Sequence, residues 1–245
     1  QKTPIAIAVL DSAVLADRHV VSLLDLGDGA IPSLKLAPFF SRPGVLVINI
    51  RGVGVMADSN QPARDQGVGV YVDGVYLGRA QGLGAALYDV ENIEVLKGPQ
   101  GTLFGRNTMG GAVSIVTKKP SGKFKSNTTL GVGNYNSYNA VTHIDLPEVA
   151  NISFKIDGIL SRRDGMVDNP LQGQNDFNSF DKRGIRLEAL WRPTDNFSVD
   201  VAVDNSYDAT STMYLQQVTR PLGLPATATA PAIAPNFVAA INPVS

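Results

Sequence analysis

The stretch Glu91-Asn92-Ile93-Glu94-Val95-Leu96-Lys97-Gly98-Pro99-Gln100-Gly101-Thr102-Leu103-Phe104-Gly105-Arg106-Asn107-Thr108-Met109-Gly110-Gly111-Ala112-Val113, continued by Ser114-Ile115-Val116-Thr117-Lys118-Lys119-Pro120, decides how the rest of the chain is read. Ile93 to Leu96 is an apolar run of strand length, and Ala112 to Thr117 is a second. Five glycines lie between Gly98 and Gly111. That density predicts a backbone that turns sharply and packs close against another surface.

Outward from this stretch, the residues up to about 120 mix short helices and strands. Ile5 to Leu10 reads as a strand. Ser12 is placed to cap a short helix through Arg18, and Ser22 with Asp25 three residues on to cap a second, which Gly27 and Gly29 end early. Val45 to Ile50 has strand length. Val68 to Leu77 reads as a hairpin turning at Asp73-Gly74, the pair a type I′ turn favours. This half predicts a compact α+β unit.

From about 121 to 208 the pattern changes to long alternating strands. In Ile152 to Ser161, Ile152, Phe154, Ile156 and Leu160 share one face, with Ser153, Lys155 and Asp157 on the other. Ile185, Leu187 and Trp191 oppose Arg186 and Glu188. Phe197, Val199, Val201 and Val203 oppose Ser198, Asp200 and Asp204. Phe124 to Val132 and Tyr138 to Leu146 are weaker strands. Pro147 to Asn151 and Arg192 to Asn196 are short turns, whereas Asp164 to Lys182 is long and polar. Short turns on one side and a long loop on the other suit an outer-membrane barrel. A soluble antiparallel sandwich alternates in the same way.

Composition narrows the function. Lys and Arg number 21 against 22 Asp and Glu, without the basic stripe that nucleic acid requires. There are no cysteines, which excludes disulfides and Cys-based zinc sites. No apolar run approaches the ~18 residues of a membrane helix, so a membrane location would be reached by strands. Gly52-Val53-Gly54-Val55-Met56-Ala57 spells a dinucleotide-type G-x-G-x-x-A, but the turn residues from Asp58 to Pro62 stand where the fingerprint needs a helix. His19 and His143, the two histidines, make neither a metal site nor a triad. Asp164, Asp168, Asp176 and Asp181 share one loop without EF-hand spacing, so a solvated loop is expected over a calcium site. No metal, cofactor or catalytic residue is expected, and the chain is read as a non-enzyme.

The Glu91 to Pro120 string resembles the plug-domain signature of TonB-dependent outer-membrane receptors, roughly E-x-I-E-V-L-K-G-P-x-x-x-L-[FY]-G followed by G-G-x-[IV]-[NS]-I-x-T-K-x-P. Thr3 to Leu10 looks like that family's first plug strand. Ile50-Arg51-Gly52 matches its I-R-G, and Val70 to Val75 its V-x-[VI]-D-G-V hairpin. The resemblance implies an α+β plug domain over 1–120, then antiparallel strands of an incomplete transmembrane β-barrel over 121–208. Residues 209–245 would be a truncated external loop. About 22 strands enclose such a plug, so an N-terminal piece of a larger receptor is expected.

The implied function is uptake of a scarce solute, most often a ferric siderophore. Cobalamin, haem and oligosaccharide are alternatives within the family, and a soluble β-sandwich binding module or adhesin is the alternative outside it. The implied partners are TonB, through a TonB box upstream of residue 1, the small-molecule ligand, and outer-membrane lipid. The ligand would meet the plug apices: Arg51, Asn60, Gln61, Arg64, Asp65, Arg79 and Gln81. Arg51 and Arg106 are the candidate plug–barrel contacts, to carboxylates on the barrel wall.

Overall fold

The computed structural model describes residues 6–39, 42–54, 65–78 and 87–214. The N-terminal unit runs β1 (Ala6–Asp11), α1 (Ser12–Asp17), a 3-10 helix (Leu23–Asp28), β2 (Leu34–Phe39), β3 (Arg42–Ile50), β4 (Val53–Gly54), β5 (Val68–Val72), β6 (Val75–Tyr76), β7 (Val90–Lys97), α2 (Gly101–Phe104) and β8 (Gly111–Thr117). Two sheets result, one in the order β1-β7-β8-β5-β6 and one in the order β2-β3-β4. Only the β5–β8 pairing is parallel among these; β1 lies antiparallel on β7 with Ala6 opposite Lys97 and Asp11 opposite Asn92.

Alternation along three strands builds the core. Val68 and Val70, Ile93 and Val95, and Val113 and Ile115 point to one side and pack against Leu15, Leu26, Leu34 and Ile50. On the other side Tyr71, Leu96 and Ala112 form a smaller cluster with Tyr76 and Phe104. The sheet is covered on both faces, which is why its strands read as nearly unbroken apolar runs.

Local signals held with two differences. Asp73 and Gly74 take φ of 49° and 83°, as a type I′ turn requires. The Asp25 carboxylate accepts from the Ser22 amide at 2.8 Å and hydroxyl at 3.0 Å, and Gly29 ends that helix at φ 89°. The cap of α1, however, is Asp11, whose Oδ1 accepts from the Val14 amide at 2.9 Å, and not Ser12. β2 was not expected. Pro38 obscures it, but Pro38 sits beside a register shift, where a missing donor is tolerated.

Five antiparallel strands follow: β9 (Lys125–Gly133), β10 (Ser137–Asp145), β11 (Ile152–Arg163), β12 (Phe180–Thr194) and β13 (Phe197–Thr210), paired as a simple meander. The last three outrun the apolar alternation, because ladder hydrogen bonds continue through polar pairs such as Arg162 opposite Asp181 and Lys182 opposite Asp208. The meander is an open sheet among the described residues. One face carries the rows Ile152–Trp191–Val199, Phe154–Ala189–Val201 and Ile156–Leu187–Val203. Phe154, Leu187, Trp191, Val201 and Val203 are solvent-exposed there. The opposite face packs on the N-terminal unit. No helix among the described residues is long and apolar enough to cross a membrane.

Candidate functional site

Two regions stand out: the glycine-rich loop at one end of the N-terminal sheet, and a seam of charge at the other, where that sheet meets the meander.

The loop from Gly98 to Gly110 closes on itself. The Gly98 amide donates to Gly110 O at 2.9 Å and the Gln100 amide to Thr108 O at 3.0 Å. Tyr71 Oη donates to Phe104 O at 2.5 Å, and the Tyr71 ring lies 4.8 Å from that of Phe104. Gly111 shows why glycine is needed: its φ is 148°, and a Cβ there would collide with the Leu96 carbonyl oxygen. Leu103 and Met109 stand exposed on the loop.

The seam begins at the β5–β6 turn. Asp73 accepts from the Thr117 amide at 2.9 Å and hydroxyl at 2.7 Å, which ties the turn to the end of β8. Its other contact crosses to the meander, where Arg186 donates to Asp73 Oδ2 at 3.2 Å. Lys119 follows β8 and spans three carboxylates: Asp200 at 2.6 Å, Glu188 at 3.3 Å and Asp73 at 3.9 Å. Burial opposes the charge on Lys119, but Asp200, Glu188 and Asp73 outweigh it and raise its pKa above the usual lysine value.

A second cluster lies beside it. Lys155 on β11 is 1% exposed and reaches Asp89 at 2.7 Å, the Lys118 carbonyl at 2.9 Å and Asp157 at 3.8 Å. Asp89 also takes Lys118 Nζ at 3.0 Å, and Asp157 pairs with His143 Nδ1 at 2.8 Å. Burial pushes the Asp89 pKa up; hydrogen bonds and charge from Lys155, with His143 and Lys118 behind it, win and hold it below the ordinary carboxylate value. Ligand atoms of Asp89, His143 and Asp157 all lie within 4.8 Å of one another. The Lys155 ammonium already supplies the positive charge that a metal would bring there.

The expected site residues do not gather at this seam. Arg51 follows the fully buried Ile50 and forms, with Gly52, the tight turn from β3 into β4 at φ of 54° and 81°. Its amide donates to Ser33 O at 2.9 Å, and its guanidinium lies beside Gly98. The Gly52-Val53-Gly54 motif is therefore hairpin, since β4 returns antiparallel on β3. Arg106 is exposed on the glycine-rich loop. Neither arginine meets a carboxylate among the described residues. Asp65 is exposed; Asn60, Gln61, Arg64, Arg79 and Gln81 fall outside the described residues. In the long loop, Asp176 accepts from the Asn169 amide at 2.9 Å within the loop itself, and Asp164 accepts from Asn136 Nδ2 at 2.8 Å, which ties the end of β11 to the β9–β10 turn.

Sequence reasoning missed the seam itself. The available signal was the opposing face of the alternating strands, where Lys155, Asp157, Arg186, Glu188 and Asp200 place both signs of charge at inward positions. A water-facing strand tolerates such a pattern without partners, so the pattern alone did not identify one.

The family model for the TonB-dependent receptor plug domain matches residues 1–112. The pesticin receptor of Yersinia pestis is 34% identical over 92 residues, 37% of this chain and 14% of that receptor. The ferripyoverdine receptor of Pseudomonas aeruginosa is 36% identical over 62 residues, 25% of this chain and 7% of the relative. Among solved structures, the ferric yersiniabactin uptake receptor from Yersinia pestis matches with a TM-score of 0.72 at 25% identity, over 82% of this chain and 31% of that one. The alcaligin outer-membrane receptor from Bordetella pertussis, at 14% identity and a TM-score of 0.65, shares the fold. The chain thus spans a seventh or less of the curated relatives' length.

Proposed function

We infer, for a chain that belongs to the TonB-dependent outer-membrane receptors, that the receptor containing it imports a ferric siderophore with energy delivered through TonB. One observation carries the reading: the plug fold sits against the charged face of a meander whose other face is apolar and exposed. A soluble sandwich would cover that apolar face. In a bilayer it meets lipid, and the charged face lines the lumen. The names of the relatives, receptors for ferripyoverdine and ferric yersiniabactin among them, support an iron chelate as the cargo.

In this reading the chain binds and does not catalyse. Arg51, Asp65 and the apical residues Asn60, Gln61, Arg64, Arg79 and Gln81 offer hydrogen bonds and charge to a polar chelate. TonB engages a segment ahead of residue 1 and loads β1, an edge strand whose one ladder among the described residues is to β7. The test is radioiron uptake in iron-starved cells with and without the intact receptor, across a panel of chelates, with haem, cobalamin and oligosaccharide as alternative cargoes. Receptor-dependent, TonB-dependent uptake of one ferric chelate is expected. Uptake of only a non-iron cargo would overturn the siderophore assignment, and retention of activity without TonB would overturn the energy source.

A further inference from the structure

The charged face of the meander does not end at the seam. Toward the long loop, Tyr88 of the plug stands over Gly184, where a Cβ would collide with its hydroxyl, and it donates to Asn205 O at 3.4 Å. Gly184 pairs with Ile159 on β11 and Ser206 on β13. Two rows of the same face lie beyond that contact, Ser161–Lys182–Asp208 and then Arg163–Phe180–Thr210. From Ile159 to Arg163 an extended strand advances about 13 Å. Arg163 has no hydrogen bond or ion pair to the plug among the described residues. It is the last residue of β11, and the long polar loop follows it.

Among the cations that β11 and β12 turn to this face, Arg163 is the one without a carboxylate among the described residues. Lys155 has Asp89, Arg186 has Asp73, and Lys182 has Asp208 at 3.7 Å. The Arg163 guanidinium lies instead 4.8 Å from the centroid of the Phe180 ring, its direct cross-strand neighbour. Its Nη2 donates to Asn178 O at 2.8 Å. Its Nε is buried and has no hydrogen-bond partner among the described residues. One hydrogen bond thus serves a group with five N–H donors. The ring and the carbonyl hold the guanidinium in place, and neither neutralises it. A half-buried charge without a counter-charge is unfavourable. A planar fork braced on a ring face is preorganised for an anion that offers two oxygens.

We propose that Arg163, braced by Phe180, is a cargo-binding residue on the barrel wall, and that the cargo is a net-negative iron chelate presenting paired carboxylate or catecholate oxygens. The proposal rests on the transport reading and narrows its substrate class. The row that carries Arg163 shares a face with Lys155 and Arg186, so it looks into the lumen and away from the apolar face that meets lipid. A lipid phosphate therefore does not reach it, and the counter-charge comes from the contents of the lumen. Two parallel N–H···O bonds from one guanidinium edge suit a carboxylate or the adjacent oxygens of a catecholate. A neutral hydroxamate chelate brings no net charge to the same place, and so gains less from Arg163.

The test is equilibrium dialysis of the intact receptor in detergent against three radioiron probes. These are iron(III) held by a hexadentate tris-catecholate, iron(III) citrate, and a neutral iron(III) tris-hydroxamate. Arg163→Gln is expected to weaken an anionic probe about 10–100-fold and to leave the neutral one within about twofold. Arg163→Lys, which keeps the charge and loses the fork, is expected to restore part of the affinity. Phe180→Leu frees the guanidinium without removing it and should weaken the anionic probe by a smaller factor; it serves where Arg163→Gln does not fold. Loss confined to one anionic probe supports the proposal and identifies the cargo's oxygens. A general loosening of the wall would weaken all three probes alike. That result, wild-type affinity for the anionic probes in Arg163→Gln, or binding of the neutral probe alone overturns the proposal. Iron-free citrate supplies an arm that needs no iron: it is expected to raise the melting temperature of the wild type and not of Arg163→Gln. A citrate shift that depends on Arg163, with no chelate bound, counts against the iron cargo and supports the anion site. Neither chelate binding nor such a shift overturns the site itself.

Discussion

Replacing Lys155 with methionine keeps the length of the side chain and removes its charge. The lost contacts are to Asp89 at 2.7 Å, the Lys118 carbonyl at 2.9 Å and Asp157 at 3.8 Å, all around a side chain that is 1% exposed. A charge pair at 4 Å is worth about 4 kcal/mol at an effective dielectric of 20, before desolvation. Desolvation of the ammonium cancels several kcal/mol of that sum. What remains visible on truncation is the stranding of carboxylates, about 3–5 kcal/mol for a buried pair. Asp89 keeps Lys118 at 3.0 Å and Asp157 keeps His143 at 2.8 Å, which places Lys155→Met at the lower end, about 3 kcal/mol.

The assay is denaturant unfolding of the intact receptor in detergent, as a double-mutant cycle with Asp89→Asn. Because the two residues touch, the double variant should be less unstable than the two single losses added together, by about 1–3 kcal/mol. Additivity within about 0.5 kcal/mol would refute the claim that Lys155 acts through Asp89.

Other expectations follow from the same geometry. Ile156, opposite Ile144 and Leu187 on the apolar face, should cost about 2–4 kcal/mol when changed to arginine near the bilayer midplane, whereas Tyr207→Arg near the loop end of β13 should cost about 0–1, both read by unfolding in lipid. Gly111→Ala should destabilise by about 2–4 kcal/mol because φ is 148° and the Leu96 carbonyl blocks a methyl, while Gly101→Ala, which has open space, should be near neutral in thermal melts. Asp89 has a depressed folded pKa, so its contribution is complete above the unfolded carboxylate value of about 3.9 and is lost as pH falls through the folded value. Asp89→Asn should remove that acid limb from the stability profile. Arg51→Ala should reduce uptake, and Arg64→Ala and Arg79→Ala should weaken ligand binding with melting unchanged; wild-type binding and uptake in all three would reject the apical assignment.

The Glu91–Pro120 string by itself carried the resemblance to the plug domain, because its constraints are local. Four of its five glycines, all but Gly101, stand where φ is positive or a backbone passes close, as at Gly111, and apolar residues alternate on β7 and β8 in a sheet covered on both faces. Period-two alternation likewise fixed which faces of β11, β12 and β13 are apolar, since a strand sends neighbours to opposite sides whatever surrounds it. The tertiary structure decided what the charged faces meet. Asp73 lies 113 residues from Arg186 along the chain, and Lys155 lies 66 from Asp89, so no local pattern relates them. Their pairing depends on which end of the plug sheet docks and in what register. The same holds for β2, whose proline reads as a break until β3 supplies the ladder beside it, and for Asp11, which caps α1 because β1 delivers the chain extended at that residue. Burial turned an ordinary polar strand face into an ion-paired seam, and burial is set by neighbours distant in sequence.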